Sequence, residues 1–91
     1  MEARSEQIAE DNRRGERRIR CYRGGRIVFN QGYGVFDCII RNTSSGGAML
    51  EFGSLVGVPS HFDLHRGPGE APLRCHVKWR SATRLGVAFE R

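Results

Sequence analysis

The chain has 91 residues and a formal net charge of +5, and 38% of its residues are hydrophobic and 9% aromatic. This length allows one small domain and excludes a large two-domain enzyme. The apolar residues are too numerous, and too well clustered after residue 26, for a wholly disordered chain.

The positive charge is concentrated in one segment. Between Arg13 and Arg26 the sequence contains seven arginines and a single acidic residue, Glu16. Of the fifteen basic residues only Lys78 is not an arginine. A planar guanidinium group binds phosphate or a guanine edge through two parallel hydrogen bonds. The clustering therefore indicates an anionic partner.

Three regions follow one another along the chain. Residues 1–12 are charged and have no apolar face, so we expect a disordered or loosely helical tail. Residues 13–25 carry the arginine cluster, and we interpret them as a flexible ligand-binding arm. Residues 26–91 contain short alternating apolar runs separated by glycine and proline, which is typical of a small all-β barrel.

Six strands are predicted in the third region. Their expected bounds are 26–30, 35–41, 48–52, 61–65, 73–80 and 85–90. A glycine-bearing turn at 30–34 joins the first two strands in a hairpin. In the fifth strand the alternation predicts that Cys75, Val77 and Trp79 face inward. Six strands without a strong helix favour an antiparallel barrel that closes on itself, because closure removes exposed edges.

The sequence contains no evident catalytic or metal-binding motif. It lacks GxSxG, HExxH and Walker-type sequences, which argues against an enzyme. His61 and His65, with Cys75 and His76 downstream, are zinc-ligand residue types. On a strand, however, His61 and His65 would lie roughly 13 Å apart. We therefore expect no catalytic residue, no metal site and no cofactor.

Cysteine usage and hydropathy indicate the compartment. The three cysteines form no CxxC pair, and residues 1–20 lack the apolar stretch of an export signal. No run approaches the 18 apolar residues of a membrane span. We expect a cytoplasmic protein with free thiols and no membrane span.

Two segments are candidates for binding an anion or a nucleotide. In residues 13–18 (RRGERR), arginines lie four positions apart, so two guanidinium groups can converge on one multiply charged ligand. The predicted turn from Asn42 to Gly47 offers an amide, hydroxyl groups and two glycines between two strands. Simpler explanations are a solvated arm and an ordinary turn.

The order of these segments resembles the PilZ-domain family of bacterial receptors for cyclic di-GMP. That family has an RxxxR arm, then a strand hairpin and a [D/N]xSxxG motif, which is matched here by Asn42, Ser44 and Gly47. HVKW (76–79) followed by LGVAF (85–89) is similar to the closing strands of the family. The resemblance covers residues 13–90 and implies a PilZ-like split barrel.

The resemblance implies which residues bind cyclic di-GMP. The RxxxR arginines of the family bind phosphates and guanine edges. The distance to the next strand favours Arg14 with Arg18, and Arg13 with Arg17 is the alternative pair. In the second motif the implied ligand contacts are made by Asn42 and Ser44, and Gly47 permits the turn.

Signalling by this family implies a second partner. Ligand binding would order the arm across the barrel mouth and present a new face to an unidentified downstream protein. Two other functions stay open. One is a barrel that binds single-stranded nucleic acid through the arm and through Tyr22 and Tyr33. The other is a PilZ-like adaptor that acts only through protein contacts. The loop from 42 to 47 favours cyclic di-GMP over nucleic acid, because nucleic-acid barrels do not need it.

Overall fold

Six antiparallel strands account for most of residues 19–90, the part of the chain that the computed structural model describes. Their bounds are β1 Ile19–Phe29, β2 Gly34–Thr43, β3 Gly47–Glu51, β4 His61–His65, β5 Leu73–Arg80 and β6 Arg84–Phe89. A 3-10 turn at Asn30–Gly32 joins β1 to β2. The sheet closes in the order β1-β2-β3-β6-β5-β4, so the predicted all-β fold with a six-stranded barrel is confirmed.

The core of the barrel comes from the alternation of side chains along each strand. Residues that alternate on β3 and β6, such as Ala48 with Leu50 and Leu85 with Val87, point inward and are buried. The side chains with almost no exposed surface are Ile27, Leu50, Phe62, Leu64, Cys75 and Leu85. Burial of each large apolar side chain contributes about 1.5–3 kcal/mol.

The first strand begins at Ile19 rather than at Arg26. Residues 19–25, which the sequence predicts as part of the arm, have no apolar alternation of their own. They are extended because β2 supplies ladder partners as far as Thr43, which lies opposite Ile19. The predicted tail (1–12) and the remainder of the predicted arm (13–18) lie outside the described residues.

Irregularities in register interrupt three strand pairs. The β1–β2 pairing shifts between Arg20 and Arg23, and the β2–β3 pairing shifts between Ile40 and Asn42. A third shift follows Val77 in β5. Such bulges turn a side chain to the opposite side of the sheet. They decide which residues of β1, β2 and β5 face outward.

The expected inward position of Trp79 is wrong. The register shift after Val77 reverses the alternation, and 46% of the Trp79 surface is exposed. Its indole lies on the outer surface against Gly86, where a Cβ atom would come within 2.0 Å of the indole Nε1 atom. The glycine therefore makes room for the ring.

All three cysteines are free thiols, and Cys38 and Cys75 are buried in the core. Burial raises the pKa of the Cys38 thiol to about 12, and the neighbouring Asp37 carboxylate adds to the effect. Burial likewise raises the pKa of the Cys75 thiol to about 12, with smaller contributions led by Asp63. The folded protein thus keeps these thiols protonated where an unfolded chain would ionise them.

These two thiols predict a loss of stability in alkaline solution. Their pKa values are raised from 9.0 in the folded state, so their contribution is complete below pH 9 and is lost as the pH rises toward 12. Each thiol lowers the free energy of unfolding by up to about 1.4 kcal/mol per pH unit in this range. Urea unfolding at several pH values above and below 9 measures the slope. Cys75→Ala should reduce it, and equal slopes in the variant and the unaltered chain would contradict the assignment.

Candidate functional site

A row of five residues crosses the outer surface of the barrel. In this row Arg20 of β1 lies opposite Asn42 of β2, which lies opposite Met49 of β3. The row continues from Met49 to Gly86 of β6 and then to Trp79 of β5. Directly opposed residues project from the same side of a sheet and are near neighbours. The row thus places a carboxamide between a guanidinium group and an exposed indole.

An open pocket of about 600 Å³ lies over the Arg20 end of this row. Its lining residues are Arg20, Cys21, Tyr22, Arg41, Asn42, Met49 and Arg84. Three of these residues carry a positive charge, and none of them is acidic. A concave surface with charges of one sign attracts a ligand of the opposite sign.

A second, smaller pocket extends the first toward Trp79. It has a volume of about 270 Å³ and shares Asn42 and Met49 with the larger pocket. Lys78 and Trp79 line its far side. We call the two pockets together the ligand groove. Its basic end lies near Arg20 and its aromatic end at Trp79.

The bulges of β1 and β2 bring Tyr22 and Arg41 into the wall of the groove. The Arg41 guanidinium carbon lies 4.9 Å from the centroid of the Tyr22 ring, which is a cation–π distance. Arg41 also donates a hydrogen bond to Oε1 of Glu51 on β3. The Nε atom of Arg84 lies 3.8 Å from Oε2 of the same carboxylate. One carboxylate therefore lies between two guanidinium groups.

The turn between β2 and β3 carries the rest of the second motif. The Ser44 N–H donates to the Gly47 carbonyl oxygen at 2.8 Å. The Ser44 hydroxyl oxygen accepts hydrogen bonds from the N–H groups of Gly46 and Gly47, at 3.3 and 3.2 Å. Ser44 thus stabilises the turn that follows Asn42, and so determines where β3 begins.

Gly47 is required by a close approach between strands. A Cβ atom at this position would lie 2.2 Å from the backbone oxygen of Val87 on β6. The structural reason for this glycine is therefore contact with β6, in addition to the turn expected from the sequence.

The structure describes only some of the site residues expected from the sequence. Asn42, Ser44 and Gly47 lie together at the end of β2 and the start of β3. The four arm arginines named above (Arg13, Arg14, Arg17 and Arg18) lie outside the described residues. The sequence did not predict four of the groove residues, which are Arg20, Arg41, Arg84 and Trp79. For Arg41 and Arg84 no local signal existed, because strand register brings them together.

The histidines that the sequence suggested as zinc-ligand types do not form a metal-binding cluster within residues 19–90. Within this range no group of three or more His, Cys, Asp or Glu residues has an arrangement suited to a metal ion. His61 and His76 lie side by side near Glu90, whose Oε2 atom is 3.6 Å from His61 Nε2 and 3.5 Å from His76 Nδ1. His61 lies on β4, His76 on β5 and Glu90 directly after β6, and none of the three lines the ligand groove.

Comparison with known proteins identifies one family. The sequence matches the model of the PilZ domain over residues 11–91. No curated protein matches the sequence. In the part of the chain that the structure describes, no helix has the length and apolar character needed to cross a membrane.

The packing around the glycines predicts opposite effects of two identical substitutions. Gly47→Ala should destabilise the fold by about 1–3 kcal/mol, since the added methyl group overlaps a backbone oxygen that cannot move alone. Gly24→Ala should be neutral or stabilising by up to about 1 kcal/mol, because nothing lies within 4 Å of its Cβ position. Urea unfolding of both variants tests this difference, and equal stability would contradict the close approach.

Proposed function

Because the chain belongs to the PilZ-domain family, we propose that it binds cyclic di-GMP in the ligand groove. It would then act as a cytoplasmic receptor rather than as an enzyme, with no resident cofactor. The observation that carries this proposal is the row of opposed residues on the outer surface. In this row Asn42 of the second motif lies between Arg20 and the exposed Trp79.

The chemistry of the ligand suits the basic end of the groove. Cyclic di-GMP carries two phosphodiester charges and two guanine bases. Guanidinium groups bind phosphate oxygens and also the O6 and N7 atoms of guanine. The Asn42 carboxamide contains both a donor and an acceptor, the two kinds of group that a base edge pairs with. Charge and hydrogen-bonding capacity therefore lie in one pocket.

Chain connectivity allows the arm arginines to reach this pocket. Arg18 precedes Arg20 by two residues, so their Cα atoms lie at most about 7 Å apart. Arg14 precedes Arg20 by six residues and lies at most about 22 Å away. Both arginines of the favoured RxxxR pair are thus within reach of a ligand in the groove.

Trp79 offers a surface for the second guanine. Its indole packs against Gly86 and leaves 46% of the residue exposed at the aromatic end of the groove. An aromatic ring held in this way is suited to stacking with a base. The ligand would thus span the groove, with one guanine near Asn42 and the other on the indole.

Ser44 has a double role in this proposal. Its oxygen accepts the two N–H hydrogen bonds of the turn, and its proton makes only a long contact of 3.4 Å with the Gly47 carbonyl oxygen. The hydroxyl group can therefore donate to a ligand oxygen while it stabilises the turn. We infer that ligand binding orders the arm across the groove and presents a new surface to a downstream protein.

Calorimetric titration with cyclic di-GMP tests the function, beside GTP and a short single-stranded RNA. We expect saturable binding of the cyclic dinucleotide alone. Asn42→Ala should weaken it at least about tenfold, since a hydrogen bond to a charged or buried group is lost. A double variant of Arg14 and Arg18, compared with one of Arg13 and Arg17, identifies the RxxxR pair in use.

Two results of this titration would contradict the proposal. Salt-sensitive binding of RNA without binding of the dinucleotide would favour a nucleic-acid barrel. No binding of any of the three would favour an adaptor that acts only through protein contacts. Arg74→Gln serves as the control variant, because Arg74 pairs with Asp63 on β4 and does not line the groove.

Substitution of Trp79 tests the stacking contact. Trp79→Ala should weaken cyclic di-GMP binding by about fivefold to a hundredfold, the usual effect of losing one base–aromatic stack. Trp79→Phe keeps a ring and should retain most of the affinity. Thermal unfolding of both variants controls for the loss of packing on Gly86. Equal affinities of the Ala and Phe variants would argue against stacking.

A further inference from the structure

A cation outside both family motifs also faces the ligand groove. We propose that Arg84 of β6 binds a phosphodiester oxygen of cyclic di-GMP, and that Arg41 keeps Arg84 available by occupying Glu51. This inference rests on the proposed function and adds a specificity-determining residue and a positioning residue to the site.

Arg84 is only loosely held by its neighbours. It lies directly opposite Glu51 in the β3–β6 ladder, on the outer surface. Its Nε atom is 3.8 Å from Glu51 Oε2, which is longer than a hydrogen bond, and its side chain is 42% exposed. An exposed ion pair of this length contributes little stability. The guanidinium group of Arg84 is therefore available to a ligand.

Arg41 is held much more firmly than Arg84. It donates a hydrogen bond to Glu51 Oε1, and its guanidinium carbon lies 4.9 Å from the centroid of the Tyr22 ring. Its side chain is 30% exposed. Arg41 lies in the bulge between Ile40 and Asn42, where the β2–β3 register shifts. The bulge turns its side chain toward Glu51 on the outer surface. Arg41 thus neutralises Glu51, which among residues 19–90 is the carboxylate within ion-pair distance of Arg84.

The charges around the pocket favour an anion beside Arg84. Arg20 and Arg84 line the same pocket from β1 and β6, with Asn42 and Met49 on the strands between them. Because like charges that face one cavity repel each other, a negatively charged ligand group between them is favourable. A phosphodiester supplies that charge, whereas a guanine edge does not.

This arrangement predicts a rescue that simple loss of structure would not produce. Without Arg41, the Glu51 carboxylate is free to pair closely with Arg84 and to repel the ligand. Without both Arg41 and Glu51, Arg84 no longer has Glu51, its ion-pair partner among residues 19–90, to compete with the ligand. Binding should therefore be weak in the single variant and recover in the double variant.

The test is the affinity for cyclic di-GMP of the full chain and five variants, measured by calorimetry at low and high salt. Arg84→Gln should weaken binding by about tenfold to a hundredfold and reduce its salt dependence, whereas Arg84→Lys should retain part of the affinity. Arg41→Gln should weaken binding about tenfold, and Arg41→Gln with Glu51→Gln should recover most of that loss. Arg74→Gln, which removes the same charge away from the groove, should change affinity less than about threefold.

Each contrary result has a distinct meaning. If Asn42→Ala weakens binding and Arg84→Gln does not, the contact with Arg84 is refuted and the proposed function stands. If the double variant binds as weakly as Arg41→Gln, the positioning role of Arg41 is refuted. Failure of the unaltered chain to bind cyclic di-GMP would overturn both the function and this inference. Urea unfolding of every variant identifies any that is not folded.

Discussion

Strand β1 hydrogen-bonds to β2 along one edge and to β4 along the other, and this double pairing closes the sheet into a barrel. Closure requires strands to tilt and coil, and bulges are the usual means by which a strand follows that curvature. The register shifts in β1 and β2 lie next to each other in the sheet. The bulges that let these strands curve also turn Tyr22 and Arg41 onto the outer surface. The groove is a consequence of closure.

Small residues let backbone and rings approach closely along β3, β6 and β5. Gly47 lies against the backbone of Val87, and Gly86 lies beneath the Trp79 indole. The first contact determines how closely β3 and β6 pack at the motif, and the second determines how flat the ring lies on the sheet. Neither glycine has a positive φ, so both are needed for space rather than for backbone conformation.

The sequence predicts the barrel well where alternation is strong. The buried positions of β3, β4 and β6 follow the period of two, and their predicted bounds differ from the structure by at most about a residue. Motif resemblance predicted Asn42, Ser44 and Gly47 as site residues, and the structure shows that they lie together where β2 ends and β3 begins. The start of β1 could not be predicted, because Gly24, Gly25 and their polar neighbours are extended only through pairing with β2.

The rest of the groove depends on register, which a single sequence does not reveal. One extra residue in β5 turns Trp79 outward although the local pattern places it inside. Arg84 meets Glu51 only because β3 and β6, which are distant in sequence, are neighbours in the closed sheet. Side chains placed by bulges and by long-range pairing leave no periodic signal.

The close contact between Trp79 and Gly86 means that a substitution at either position should disturb the other. Even one added methyl group on the β6 backbone would displace the indole, and a smaller side chain on β5 would leave bare backbone at the surface. We therefore expect that related sequences keep both residues or change both, because each position restricts the side chain that its cross-strand neighbour can accept.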